Sequence, residues 1–292
     1  MCRHLAYLGP PASLRSLLIE PPHSLYRQAW APRRQRYGTV NADGFGVGWY
    51  ADGDQDPARY RRGVPMWADP SLPDIARVTR SRAVLAAVRS ATPGTAVGEQ
   101  AAAPFGEGRW LFSHNGSLEG WPAVAAAVAE RDAQAGRGDD EPPVTGPLPQ
   151  PSAAAVLASL EAMVDSAFLW ALVLQRLRAG SPMAAALAGT VAAVEAAGGT
   201  GRFNFLLTDG LSIAATACGD TLWYRSSPGA VTVASEPDDD GPGWTEVPDR
   251  HVLAATPALA EARPLAEAAA GPPPRRVPPT DSDISTEGIL TP

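Results

Sequence analysis

Cys2 is the residue whose chemistry depends most on where it stands. A small residue in second place permits removal of the initiator methionine, which would leave Cys2 as the mature amino terminus. Such a residue carries a thiol and a free α-amine together, and the ordinary pKa of that amine is about 7.7–8.0. The amine can act as general base and the thiol as nucleophile with no separate histidine, as in N-terminal threonine systems. Taken alone, a cysteine here is more often an ordinary small buried residue. Cys218 sits in an apolar stretch and reads as core packing.

Three further segments bear on that choice. Val88-Arg89-Ser90-Ala91-Thr92-Pro93-Gly94 places an arginine behind an apolar run at a strand end, with Thr92 three residues on and a turn after it. An arginine there can grip a carboxylate with both arms of its fork, or lie on the surface as most arginines do. Phe112-Ser113-His114-Asn115-Gly116-Ser117-Leu118 reads as a strand ending in Asn-Gly. The side-chain amide of Asn115 and the backbone N–H of Gly116 form the donor pair that an oxyanion hole requires, although Asn-Gly is also a common turn. His114 beside them has no identified partner and reads as structural. In Met163-Val164-Asp165-Ser166-Ala167-Phe168, Asp165 could cap a helix or receive a substrate ammonium.

These residues need a scaffold, and the chain supplies strands, then helices, then strands. A first strand begins at the amino terminus itself. Residues 10 to 37 read as a loop with a short helix. Turn residues then lead into Phe45-Gly46-Val47-Gly48-Trp49-Tyr50, where glycine inside a strand marks close backbone approach or a bulge. Strands fit 83–89 and 110–113. Helices fit 121–130, 153–177 and 182–195. Further strands fit 203–208, 212–217, 221–225 and 230–235. That order favours a layered α+β protein over a repeating βαβ pattern. One domain is expected over 2–263, with an acidic Pro- and Gly-rich insertion at about 132–151. Residues 264–292 are expected to form a Pro-rich, disordered tail.

Taken together and in order, Cys2, Asn41 to Tyr50, Arg89 to Gly94, Ser113 to Leu118 and Asp165-Ser166 resemble the class II glutamine amidotransferase type of N-terminal-nucleophile hydrolase. Single motifs are weak, but the ordered set is specific and runs from Cys2 to about His251. Within that family the chain is most similar to the amidohydrolases of ergothioneine synthesis, which remove glutamate from γ-glutamyl-hercynylcysteine sulfoxide. The Met-Cys-Arg-His start, the DSAFLWALVLQRL segment and Ala234-Ser235-Glu236-Pro237 carry that similarity. The resemblance implies a four-layer αββα sandwich of two antiparallel sheets. It implies that Cys2 attacks the γ-amide carbonyl while its own α-amine shuttles the proton. It further implies that Asn115 and Gly116 stabilise the oxyanion, that Arg89 with Thr92 binds the glutamyl α-carboxylate, and that Asp165 binds the α-ammonium. Many family members carry a histidine two residues before that arginine, where this chain has Ala87. The alternative reading is a glutaminase subunit that passes ammonia to a separate synthetase, but only a short Pro-rich stretch follows the expected domain.

Composition removes other classes. The chain has 292 residues and no lysine, and its net charge of −7 argues against nucleic-acid binding. Two cysteines are too few for a disulfide scaffold or a cysteine zinc site. His4, His23, His114 and His251 do not stand at ligand spacing, so neither metal nor cofactor is expected. No secretory leader and no membrane-spanning segment are expected from the residues at the start and the short apolar runs. These features predict a cytoplasmic protein with no nucleic-acid or membrane partner and are compatible with a homo-oligomer; the resemblance implies an enzyme with a small γ-glutamyl substrate. A hercynyl leaving group carries a trimethylammonium, so Trp30, Trp67 and Tyr37 are candidate aromatic faces for it. Arg33, Arg34 and Arg36 are candidates for its anionic groups.

Overall fold

The computed structural model describes residues 2–92, 95, 96, 98–135 and 160–270. Among these residues thirteen strands follow in chain order: β1 (Arg3–Ser13), β2 (Phe45–Trp49), β3 (Ala58–Arg62), β4 (Arg80–Val88), β5 (Phe105–Glu107), β6 (Trp110–Leu118), β7 (Gly201–Thr208), β8 (Ile213–Ala217), β9 (Trp223–Ser227), β10 (Ala230–Ala234), β11 (Trp244–Glu246), β12 (His251–Ala255) and β13 (Ala260–Pro264). Among the described residues the helices are α1 (Leu14–Leu18), α2 (Leu25–Gln28), α3 (Leu72–Val78), α4 (Trp121–Ala135), α5 (Asp165–Arg178), α6 (Met183–Ala196) and α7 (Leu265–Ala269). The strands form two sheets, ordered β11-β9-β10-β1-β4-β2-β3 and β13-β12-β8-β7-β6-β5. The pairings are antiparallel throughout.

The alternation of side chains along each strand builds three separate cores. In β1 and β4, Ala6, Leu8, Ala83 and Leu85 face Leu111, Leu206, Ile213 and Ala215 of the other sheet. The intervening Leu5, Val84, Ala86 and Val88 face Leu14, Leu18, Leu25, Leu72 and Ala76 of the first helices. On the far side, Phe112, Phe203, Phe205 and Leu207 meet α5 and α6, with Phe112 and Trp170 stacked at 5.4 Å. Helix, sheet, sheet, helix is therefore the layer order, as the resemblance implied. The glycines of β2 serve the close approach: a Cβ at Gly48 would stand 2.6 Å from Leu111 of the opposing sheet.

Some elements differ from expectation. The strand expected to stop at Ser113 runs to Leu118, so Asn115 and Gly116 lie inside β6 and are not a turn after it. Their ladder partners are Asn204 and Phe203 of β7, and tertiary pairing overrides the local turn preference. The helix expected from residue 153 begins at Asp165; residues 151–159 lie outside the described residues. The first residues of the 132–151 segment complete α4, and the remainder also lies outside them. At the expected domain end the chain continues as α7, which buries Leu265 and Ala268. Residues 271–292 are outside the described residues.

Candidate active site

At one end of the layer between the sheets, apolar side chains give way to polar ones. Along β1 the inward face passes from Leu8 and Ala6 to His4. Along β6 it passes from Leu111 to Ser113 and Asn115. His4 Nδ1 lies 3.2 Å from Ser113 Oγ, which ties the two sheets together. Ser235, at the end of β10, accepts from the His4 backbone N–H at 3.1 Å and from Asn115 Nδ2 at 3.4 Å. All of these residues are buried. Cys2 stands one residue before β1 and two before His4, and it is half-buried with a free thiol.

Strand register places Arg89 beside Cys2. Arg3 pairs with Val88, and Val88 also pairs with Phe45, so positions 2, 89 and 44 are neighbours at the ends of three adjacent strands. The Arg89 N–H donates to the Gly44 carbonyl at 2.8 Å. Its guanidinium donates to Asp43 O, Thr95 Oγ1 and Ala96 O. These acceptors are neutral, and among the described residues no carboxylate lies in ion-pair range of Arg89. The hydroxyl brought to Arg89 is that of Thr95. Thr92 is exposed, and its carbonyl accepts from Thr95. Sequence reasoning passed over Thr95, although a second threonine in the same short segment was the available signal.

On the other side of Asn115, α5 is fastened to β6. Asp165 Oδ2 accepts from Leu118 N–H at 2.9 Å, and Oδ1 accepts from Ser166 N–H at 2.7 Å. Asp165 is the first residue of the helix, not its cap, since Val164 holds the cap position. His114 points to the helix side of the sheet. Its Nε2 lies 2.9 Å from the Arg202 carbonyl and its Nδ1 3.0 Å from Ser166 Oγ. A carbonyl only accepts, so Nε2 carries the ring proton. Burial holds His114 below the usual imidazole range despite the opposing pull of Asp165. Both ring nitrogens are engaged with the scaffold, in line with the structural reading.

Gly116 is required by a neighbour. A Cβ there would overlap the Arg202 carbonyl oxygen and stand 2.6 Å from His114 Nε2. Gly116→Ala should therefore push β6 from β7 and lower stability by about 1–3 kcal/mol. Urea denaturation checks this, and an unchanged midpoint would contradict it.

His4 is pushed down to about 3, first by burial and then by Arg3 and His114. The unfolded chain takes up its proton near pH 6.5 whereas the folded chain resists until about pH 3. His4 thus makes stability fall as pH drops through that window. His4→Asn should flatten the acid limb of a stability-against-pH curve. Identical slopes for the parent and His4→Asn would contradict that.

The other candidates fall into separate groups. Trp30 and Trp67 pack edge to face at 5.6 Å, with Arg27 over Trp30. Tyr37 is half exposed and lies under the Arg202 guanidinium at 4.4 Å. Arg33 pairs with Asp240, and Arg34 lies over Trp223. Sequence reasoning also missed Asp220 and Ser235, which touch Asn115 from separate loops. Among the described residues no cluster of three or more His, Cys, Asp or Glu could hold a metal. No helix among them is long and apolar enough to cross a membrane.

Comparison with known proteins places this geometry. The profile of the class II glutamine amidotransferases matches residues 22–143. A γ-glutamyl-hercynylcysteine sulfoxide hydrolase from Mycolicibacterium smegmatis is 41% identical over 253 residues, which is 87% of this chain and 95% of that protein. One from Mycobacterium tuberculosis is 40% identical over 88% of this chain and 93% of its own length. Among solved structures, a glutamine aminotransferase class-II domain protein from Silicibacter pomeroyi superposes with a TM-score of 0.57 at 25% identity, covering 90% of this chain and 99% of that one. The glutamine phosphoribosylpyrophosphate amidotransferase of B. subtilis has the same fold, with a TM-score of 0.57 at 14% identity, over 90% of this chain and 49% of that one.

Proposed function

We propose, because the chain belongs to the class II glutamine amidotransferase family and aligns along nearly the whole length of its γ-glutamyl-hercynylcysteine sulfoxide hydrolases, that it hydrolyses the γ-glutamyl amide of γ-glutamyl-hercynylcysteine sulfoxide. The products are glutamate and hercynylcysteine sulfoxide. The observation that carries this reading is identity of about 40% over more than nine-tenths of those relatives.

The site supplies a role for each step. With Met1 removed, the Cys2 α-amine takes the thiol proton as sulfur attacks the γ-carbonyl carbon. The carbonyl oxygen becomes an oxyanion held by Asn115 Nδ2 and the Gly116 N–H. The C–N bond breaks, the ammonium formed at Cys2 protonates the departing amine, and a γ-glutamyl thioester remains. Water, deprotonated by the same amine, attacks the thioester and releases glutamate and the thiol. Arg89 holds the α-carboxylate and Asp165 the α-ammonium, so one fixed cation and one fixed anion set the register of the glutamyl group. Thr95 orients the Arg89 fork, and Thr92 is kept as a second contact to the carboxylate. We place the enzyme in the reducing cytoplasm, where the free Cys2 thiol stays reactive.

A substrate comparison tests the assignment. Glutamate release is measured from glutamine, γ-glutamylcysteine and γ-glutamyl-hercynylcysteine sulfoxide under one condition. The sulfoxide should give the highest kcat/KM. Equal values on all three would overturn the specific substrate, and a preference for glutamine would favour an ammonia-supplying glutaminase.

A further inference from the structure

A buried ion pair stands behind Asn115, and none of the steps above uses it. Arg3 and the Asp220 carboxylate are both shut off from solvent, with Arg3 Nη2 3.7 Å from Asp220 Oδ2. Arg3 Nε also donates to Gln35 Oε1 at 3.3 Å. Asp220 follows β8, and its place is fixed from both sides. Its backbone N–H donates to Asn204 Oδ1 at 3.1 Å, and its Oδ1 accepts from Thr221 N–H at 2.8 Å. Its Oδ2 faces Asn115 Nδ2 at 3.4 Å.

An asparagine amide has two orientations of nearly equal shape, and its neighbours choose between them. Asn115 Oδ1 has no partner among the described residues, so the choice rests on the contacts of Nδ2. Ser235 Oγ, at 3.4 Å, is a hydroxyl that accepts or donates and so tolerates either orientation. Asp220 is a carboxylate and only accepts. It alone requires Nδ2 on this side; it holds one amide proton, while the other, which faces Ser235 Oγ here, turns from that hydroxyl to the reacting carbonyl. A bare carboxylate so close to a developing oxyanion would repel it, and Arg3 supplies the compensating charge.

We propose that Asp220 and Arg3 are positioning residues for oxyanion stabilisation, Asp220 by orienting the Asn115 amide and Arg3 by cancelling the Asp220 charge beneath the oxyanion. This rests on the amidohydrolase reading above. Because both act through Asn115 on the transition state, substitution should lower kcat and leave KM nearly unchanged.

The test is glutamate release from γ-glutamyl-hercynylcysteine sulfoxide by the full chain, with melting temperature measured beside it. Asp220→Asn should lower kcat by about 10–100-fold with KM within about twofold. In an Asn115→Ala background the same substitution should lower kcat no further, which a merely structural role would not produce. Arg3→Gln should also lower kcat, and adding Asp220→Asn to it should recover part of the loss. That neutral pair also serves if Asp220→Asn alone does not fold. Parental kcat in Asp220→Asn, or an equal further loss on top of Asn115→Ala, would overturn the inference while leaving the amidohydrolase reading standing. Absence of glutamate release by the unsubstituted chain would overturn that reading and this inference with it.

Discussion

A chain carrying Cys2→Ala is expected to fold as the parent does and to release glutamate at least about 10⁴-fold more slowly, as when a covalent nucleophile is removed. The expectation of intact folding rests on position. Cys2 precedes β1, is half-buried, and packs into none of the three cores. Cys218→Ala is the matched control and should keep near-parental activity. The Cys218 thiol is buried after β8, where burial pushes its pKa up against the pull of Arg250. A thiol held protonated in that way is a poor nucleophile. Glutamate release by both variants, followed with an amine-specific or coupled assay, separates the two cysteines. Equal activity in Cys2→Ala and the parent would remove the nucleophile from the account.

The second large effect belongs to Asn115→Ala. Removing one oxyanion donor costs about 10²–10³-fold in kcat. Asn115 is wholly buried in β6 and holds no charged part of the substrate in the proposed scheme. The loss should therefore appear in kcat, with KM little changed. Arg89→Gln should show the opposite emphasis, because Arg89 meets the α-carboxylate in both the bound substrate and the transition state. A rise in KM alone for Asn115→Ala would contradict the assignment of Nδ2 to the oxyanion.

Much of this scheme was legible before the fold was known, for reasons that differ from residue to residue. Cys2 was legible because its position permits the chemistry and the ordered motifs downstream select that reading. The paired glycines of β2 announced a close approach, and Leu111 of the opposing sheet is what approaches Gly48. Eight of the strands were legible because each carries its own apolar run, whereas β3, β5, β11, β12 and β13 were not read, and β3, β11 and β13 are short and mostly exposed. The extent of β6 was not, because Asn-Gly is a strong local turn signal, and only the ladder with β7 reveals that Gly116 is there to admit the Arg202 carbonyl. The start of α5 at Asp165 was hidden by the apolar, alanine-rich stretch before it. Thr95 was passed over for Thr92 because nothing local distinguishes which hydroxyl the backbone turns toward Arg89. Asp220 has no local signature at all: it matters because the turn after β8 brings it against a strand more than a hundred residues away.

The central claim is that Cys2, as a free amino terminus, forms the covalent bond to the γ-glutamyl group. Its most direct test is labelling of the purified chain with a glutamine analogue bearing a γ-diazoketone, followed by intact-mass and peptide mass spectrometry. The account predicts one adduct per chain, on a Cys2 from which Met1 has been removed, and protection by substrate. An adduct on Cys218, or full activity in a chain that still carries Met1, would contradict it.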